Sequence, residues 1–340
     1  MLPPALQRRL LLTVLGLPRP VRRRLFGAPP VGDRGQRMDE DLAVLVALER
    51  RLPQGMGKGS VEEARAAMRR AVRTIQGDPR PAVRVERREV AGRPCRLYRA
   101  PGPPRALLVY LHGGGWVCGD LDTHDRVCRR FAEEARRAVL AVDYRLAPEH
   151  PFPAGFDDVV AVLRQVLDRD LPGVAPGLPV EVGGDSAGGN LAAAACLALR
   201  EDGGSERGRQ PARQLLVYPA VDLRMLTVSH RSLGHGYLLE ASDLEWYRDH
   251  YGCPDLFDWR ASPLLAESHA GLPPAIVVTA GFDPLRDEGQ QYADRLERAG
   301  VSVCRLHEPG LTHGFLNMDG VIPAADRAFA RVCRALLEGC

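Results

Sequence analysis

Apolar residues change their spacing along the chain, and each change predicts a different kind of element. Up to residue 80 they recur at helical intervals. Leu42, Leu45, Val46 and Leu48 do so within Asp39 to Leu52, and Ala64, Ala67, Met68, Ala71, Val72 and Ile75 follow. Ser60 and Glu63 stand three apart just ahead of the second set, the signature of a capping box, and Gly77-Asp78-Pro79 should end that helix. Val83 to Val90 and Pro94 to Tyr98 then alternate apolar and polar positions about Ala91-Gly92, which predicts a hairpin. Beyond residue 105 the strand-like runs are apolar nearly throughout: Ala106 to Leu111, Val139 to Val142, Val180 to Val182, Leu215 to Tyr218, Ile276 to Thr279 and Val301 to Leu306. Helical stretches near Asp125 to Arg136, Phe156 to Leu167 and Leu191 to Leu199 separate several of them. Apolar strands interleaved with helices imply an α/β fold whose mainly parallel sheet is covered on both faces. Chemistry in such sheets gathers at the carboxyl ends of the strands.

One segment breaks the alternation. Residues 223–265 hold Tyr237, Trp246, Tyr247, Tyr251, Phe257 and Trp259 without a strand pattern, which predicts a helical insert. The expected organisation is therefore a helical region over residues 1–80, core over 81–222, an insert over 223–265 and core again over 266–340. At the N-terminus, Arg8-Arg9 precede the apolar run Leu10 to Leu17, but no A-x-A cleavage site follows. Pro18, Pro20 and Arg22 to Arg24 come instead. This favours an amphipathic cap or surface helix over export or a membrane span, with weak membrane-surface attachment as the lesser alternative.

Composition narrows the function classes. A net charge of +3 with 45% apolar residues describes an ordinary globular chain of 340 residues. Its arginines are scattered, without the stripe of basic and aromatic residues that would read as nucleic-acid binding. Of 46 basic residues only Lys58 is a lysine, and Gly57-Lys58-Gly59 fits no P-loop, Schiff-base or serine–lysine motif. Eight cysteines show no C-x-x-C and no zinc-like spacing, so reduced structural thiols in a cytoplasm are expected.

Against that background, Gly184-Asp185-Ser186-Ala187-Gly188 spells G-x-S-x-G between a predicted strand and an alanine-rich helix. Small residues on both sides let the chain turn sharply and expose a serine hydroxyl at a helix N-terminus. A serine nucleophile needs a base, an acid that orients the base, and donors for the oxyanion. Asp283 falls just after the strand Ile276 to Thr279, and His313, followed by Gly314, lies beyond the strand Val301 to Leu306. The order Ser186, Asp283, His313 is the one that a strand-to-helix elbow of this kind uses. Asp222, Asp287, Glu288, His150 and His307 are weaker candidates, because their positions lead away from the elbow. His112-Gly113-Gly114-Gly115-Trp116 follows the strand Ala106 to Leu111. The amides of Gly114 and Gly115, with that of Ala187, are the expected oxyanion donors.

Five motifs in this order resemble the bacterial hormone-sensitive-lipase-like carboxylesterases of the α/β-hydrolase fold. They are His112 to Trp116, Tyr144 to His150, Gly183 to Asn190, Asp283 to Gly289, and His313 to Phe315. The resemblance implies a catalytic triad of Ser186, Asp283 and His313, and an oxyanion hole of Gly114, Gly115 and Ala187. It implies a cap made of residues 1–80 and the insert, with Arg145 and Glu149 bracing the site. It further implies hydrolysis of short to medium acyl esters through an acyl-enzyme, with no cofactor and no metal, and a homodimer paired through the last strand. An amidase, lactonase or deacetylase could use the same constellation, and a non-catalytic ligand receptor could use the same pocket.

Overall fold

The protein is represented by a computed structural model that describes residues 2–51, 59–78, 80, 82–169, 171–201 and 210–339. Leu52, Lys58, Pro79 and Cys340 lie outside the described residues. The centre is an eight-stranded sheet in the order β1-β2-β4-β3-β5-β6-β7-β8. The hairpin β1 (Arg84–Val90) and β2 (Arg93–Arg99) is antiparallel, and β2 joins the rest antiparallel to β4 (Arg137–Val142). From there β3 (Ala106–Leu111), β5 (Val180–Asp185), β6 (Arg213–Val217), β7 (Ala275–Phe282) and β8 (Val303–Thr312) run parallel.

Both faces of the sheet are covered, which is why its strands read as continuous apolar runs. Along β3, Leu107, Val109 and Leu111 enter one core cluster while Leu108 and Tyr110 enter the other. The first cluster takes in α6 (Ala154–Asp168), α7 (Ala187–Glu201) and α10 (Arg286–Arg298); the second takes in α5 (Asp125–Glu134) and α11 (Pro323–Glu338).

Four helices precede the hairpin: α1 (Pro4–Leu15), α2 (Arg19–Phe26), α3 (Glu40–Arg51) and α4 (Val61–Ile75). The capping box at α4 forms as expected, with Ser60 Oγ accepting the Glu63 amide and Glu63 Oε2 accepting the Ser60 amide. Between β6 and β7 the chain makes α8 (Val228–Leu233), α9 (Ala241–Tyr251) and one short turn of 3-10 helix, without a strand.

Two strands run further than their apolar patterns suggest. β5 continues through Gly183 and Gly184 to Asp185, and β8 continues through Pro309 and Gly310 to Thr312. Pro309 is tolerated because β8 is an edge strand. The pairing of β7 with β8 shifts register between Ala280 and Phe282, where a side chain at Gly281 would fall 2.0 Å from the Pro309 carbonyl oxygen. The shift sets Thr312 opposite Phe282, so the next residues along each strand, His313 and Asp283, emerge side by side.

Cysteine usage departs from expectation at one place. Six described cysteines are free and five of these are buried, but Cys304 on β8 is disulfide-bonded. Spacing along the chain carries no sign of a pairing made by the folded structure. Among the described residues no helix is long and apolar enough to cross a membrane.

Candidate active site

Ser186 sits in the tight turn between β5 and α7 with φ of 56°, a left-handed conformation that is costly for a residue with a side chain. The surrounding contacts hold it there. Its amide donates to the Val217 carbonyl at 2.9 Å, and its carbonyl accepts the amides of Asn190 at 3.0 Å and Ala220 at 3.3 Å. The Asn190 side chain in turn donates to the carbonyls of Ala220 and Ala261. The flanking glycines allow the close approach that the turn requires. A Cβ at Gly188 would lie 1.9 Å from the Leu111 carbonyl oxygen.

The structure brings together the three residues that the sequence singles out. His313 Nε2 lies 2.9 Å from Ser186 Oγ, and His313 Nδ1 lies 2.8 Å from Asp283 Oδ2. Asp283 is fully buried, and its Oδ1 accepts the Leu285 amide at 2.8 Å, which fixes the carboxylate facing the imidazole. The weaker candidates are engaged elsewhere. Asp222 pairs with Arg224, Asp287 with Arg34 and Arg286, and His307 meets Thr279 Oγ1.

Beside the serine, Gly114 and Gly115 have φ of 124° and 60°, and among the described residues no protein acceptor takes either amide. Ala187 opens α7 beside them. What holds this glycine loop is a buried polar network that sequence reasoning passed over. Asp185 Oδ1 accepts the Tyr110 hydroxyl at 2.8 Å and the Gly113 amide at 3.1 Å, while its Oδ2 lies 3.4 Å from His124 Nε2. Burial opposes ionisation of Asp185, but His124 and these hydrogen bonds outweigh it and hold the carboxyl below its usual range. His112 stacks on Tyr144 at 4.4 Å, and the Tyr144 hydroxyl donates to the His112 carbonyl at 2.7 Å. Burial, aided by His124, lowers His112 to about 4, so its imidazole is neutral at physiological pH. The motifs noted in the sequence contain His112, Tyr144 and Asp185, but not Tyr110 or His124, which join them only in the fold.

A cavity of about 630 Å³ opens over Ser186, His313 and the glycine loop. Its walls come from α1, α3 and α4, from the insert, and from the strand ends. Of the insert's aromatic residues only Tyr247 faces it; Tyr237 packs on Phe282, Trp246 on His250, and Tyr251 on Trp116. Arg145 and Glu149 do not reach the triad. Arg145 pairs with Asp158 on α6, and Glu149 pairs with Arg65 on α4, which ties the 144–150 loop to its neighbours.

Glu288 is the second residue that the sequence undervalued. It is fully buried beside the cavity and its Oε1 accepts the amides of Val221 at 2.7 Å and Asp222 at 3.2 Å. Among the described residues no group of three or more His, Cys, Asp or Glu side chains is placed to hold a metal ion.

Residues 108–317 match a family described as alpha/beta hydrolase fold. The chain is 41% identical over 315 residues to Carboxylic ester hydrolase LipN of Mycobacterium tuberculosis, covering 89% of this chain and 83% of that protein. It is 39% identical over 251 residues to Ethyl acetate hydrolase of Pseudomonas putida, covering 72% of this chain and 78% of the relative. Among solved structures, a mutant of LAE6, an alpha/beta hydrolase enzyme from the metagenome of Lake Arreo, superposes with a TM-score of 0.80 at 37% identity. That match covers 87% of this chain and 95% of the other.

Proposed function

The chain belongs to the α/β-hydrolase fold family, in its hormone-sensitive-lipase-like carboxylesterase branch, and from that premise we propose a serine esterase mechanism carried by Ser186, Asp283 and His313. Ester hydrolysis is the activity of the relatives it matches. The observation that carries the mechanism is the unbroken line from Asp283 through both nitrogens of His313 to the Ser186 hydroxyl.

In the proposed cycle His313 Nε2 takes the Ser186 proton as Oγ bonds to the ester carbonyl carbon. The carbonyl oxygen becomes an oxyanion held by the amides of Gly114, Gly115 and Ala187. Asp283 keeps the imidazole in the tautomer that accepts at Nε2 and stabilises the imidazolium that forms. Collapse breaks the carbon–oxygen bond to the alcohol, which leaves with the proton from His313. Water then gives a proton to His313 and its oxygen attacks the acyl-enzyme, and the acid departs as Ser186 regains its hydrogen.

The substrate class is a short to medium acyl ester, for which a cavity of about 630 Å³ has room. Residues 1–80 and 223–265 act as the cap, and 81–222 with 266–340 as the core. A cytoplasmic setting belongs to the same proposal; it rests on six free cysteines, and the Cys304 disulfide stands against it. Hydrolysis of p-nitrophenyl esters from acetyl to palmitoyl, by the protein and by Ser186→Ala, tests the reading. Turnover peaking at short or medium chains, and reduced at least about 10⁴-fold in the variant, is expected. Equal turnover in both proteins would remove Ser186 as the nucleophile. Turnover of the matching amides in preference to the esters would make the protein an amidase.

A further inference from the structure

Large apolar side chains that stand exposed are concentrated at one end of the protein. Seven of the ten among the described residues fall within residues 2–31. Leu2, Leu6 and Leu10 stand four apart, which sets Leu6 and Leu10 one turn apart on the outer face of α1, while Leu11 turns inward. Leu2 and Leu10 both reach solvent and also line the cavity over Ser186, so this apolar row forms part of the cavity's rim.

The same segment is strongly basic. Residues 1–32 contain six arginines and no acidic residue. Arg8, Arg22 and Arg23 pair with Asp78, Asp41 and Glu40 in other parts of the chain. Arg9, Arg19 and Arg24 are exposed and have no ion-pair partner among the described residues. Exposed leucines beside uncompensated arginines are the composition of a helix that lies in the interface of an anionic bilayer. At 12 residues α1 is about 18 Å long, too short to span a hydrocarbon core, so it would lie on the surface. A second copy fits the face less well. Symmetric pairing would set one acid-free, arginine-rich segment against another.

We propose that α1 and α2 dock on an anionic lipid surface, with the rim of the cavity turned toward it. Docking does not depend on the triad. Its consequence, that esters dissolved in the lipid reach Ser186 directly from the bilayer, rests on the esterase reading above.

Cosedimentation with vesicles of equimolar phosphatidylcholine and phosphatidylglycerol, against pure phosphatidylcholine, tests the docking. The protein is expected to bind the anionic vesicles, less as salt is raised. Replacing two arginines with Arg9→Ser and Arg24→Ser should weaken binding roughly 25-fold, since each arginine near such a surface contributes about five-fold. Leu6→Ser with Leu25→Ser should weaken it as well. None of these four residues lines the cavity, so hydrolysis of a water-soluble short ester and the circular dichroism spectrum should be retained, which separates lost docking from lost folding. A protein that binds its vesicles but hydrolyses no ester would sink the esterase reading and leave the docking intact. Absence of binding, equal binding to neutral vesicles, or variants that bind like the parent would overturn the proposal. So would a lipid-free dimer that Leu6→Ser with Leu25→Ser dissociates, which would assign the face to a second copy.

Discussion

Glu288 is a carboxyl group whose protonated form the fold favours. Burial first, and then the neighbouring Asp222 carboxylate, push it well above the usual 4.5, while the amides of Val221 and Asp222 partly offset them. In the unfolded chain it ionises near the ordinary value, so above that pH the folded state holds a proton that the unfolded state has lost. Stability therefore falls as pH rises from about 5 toward the raised folded value. Glu288→Gln keeps the carbonyl that accepts both amides and removes the titration. Thermal melts should show the variant gaining on the parent as pH rises above the ordinary carboxylate range; a difference that stays constant would mean that Glu288 ionises as readily in the fold as in the unfolded chain. His112 acts at the other end of the scale. Its imidazole stays neutral down to about 4 in the fold but charges near 6.5 when unfolded, so stability also declines as pH drops through that window. Asp185 holds the glycine loop through the Gly113 amide. Asp185→Asn is expected to lower kcat by 10- to 100-fold with KM little changed, because a loosened glycine loop holds the transition state less well than the ground state. A rise in KM with kcat little changed would place Asp185 in substrate binding instead.

At the scale of elements, the sequence was most informative where burial is uniform. β3, β4 and β7 are buried on both faces, and their apolar runs placed them within a few residues. The end of β8 was not legible, because Pro309 and Gly310 are local terminators that an edge strand and a register shift allow to remain in the ladder. That unread extension is what sets His313 level with Asp283. The meeting of Ser186, Asp283 and His313 was legible because each follows a strand; the network behind the glycine loop was not, because Tyr110, His124 and Asp185 meet only across the sheet. The edge also bears on assembly. The Asp39 amide already takes the Gly310 carbonyl at 2.9 Å, so the portion of β8 open to another strand is Val303 to Glu308. A homodimer paired there is expected to appear by light scattering at twice 37.2 kDa and to be lost when Arg305, whose side chain faces Asp294 and Glu297, is left in place but Val303 is changed to proline. A monomer at every concentration would remove that mode of assembly.

Across the whole molecule, the cavity joins parts of the chain with very different sequence character. The core supplies Ser186, His313, Asp283 and the glycine loop from strand ends. α1, α3, α4 and the insert supply most of the apolar wall. The chemistry was therefore readable from local motifs, whereas the shape of the pocket depends on how helices far apart in sequence close over Ser186. Tyr237 and Trp246, aromatic residues of the insert, pack on Phe282 and His250 and do not line it. The central claim is that Ser186 forms a covalent bond with the acyl group of its substrate. Diethyl p-nitrophenyl phosphate reacts with an activated serine and leaves a stable diethyl phosphoryl group, so intact-mass and peptide mass spectrometry after treatment tests the claim directly. One phosphoryl group per chain, located on Ser186 and accompanied by loss of ester turnover, is the predicted result. Modification at another residue, or full turnover retained after Ser186 has been modified, would contradict it.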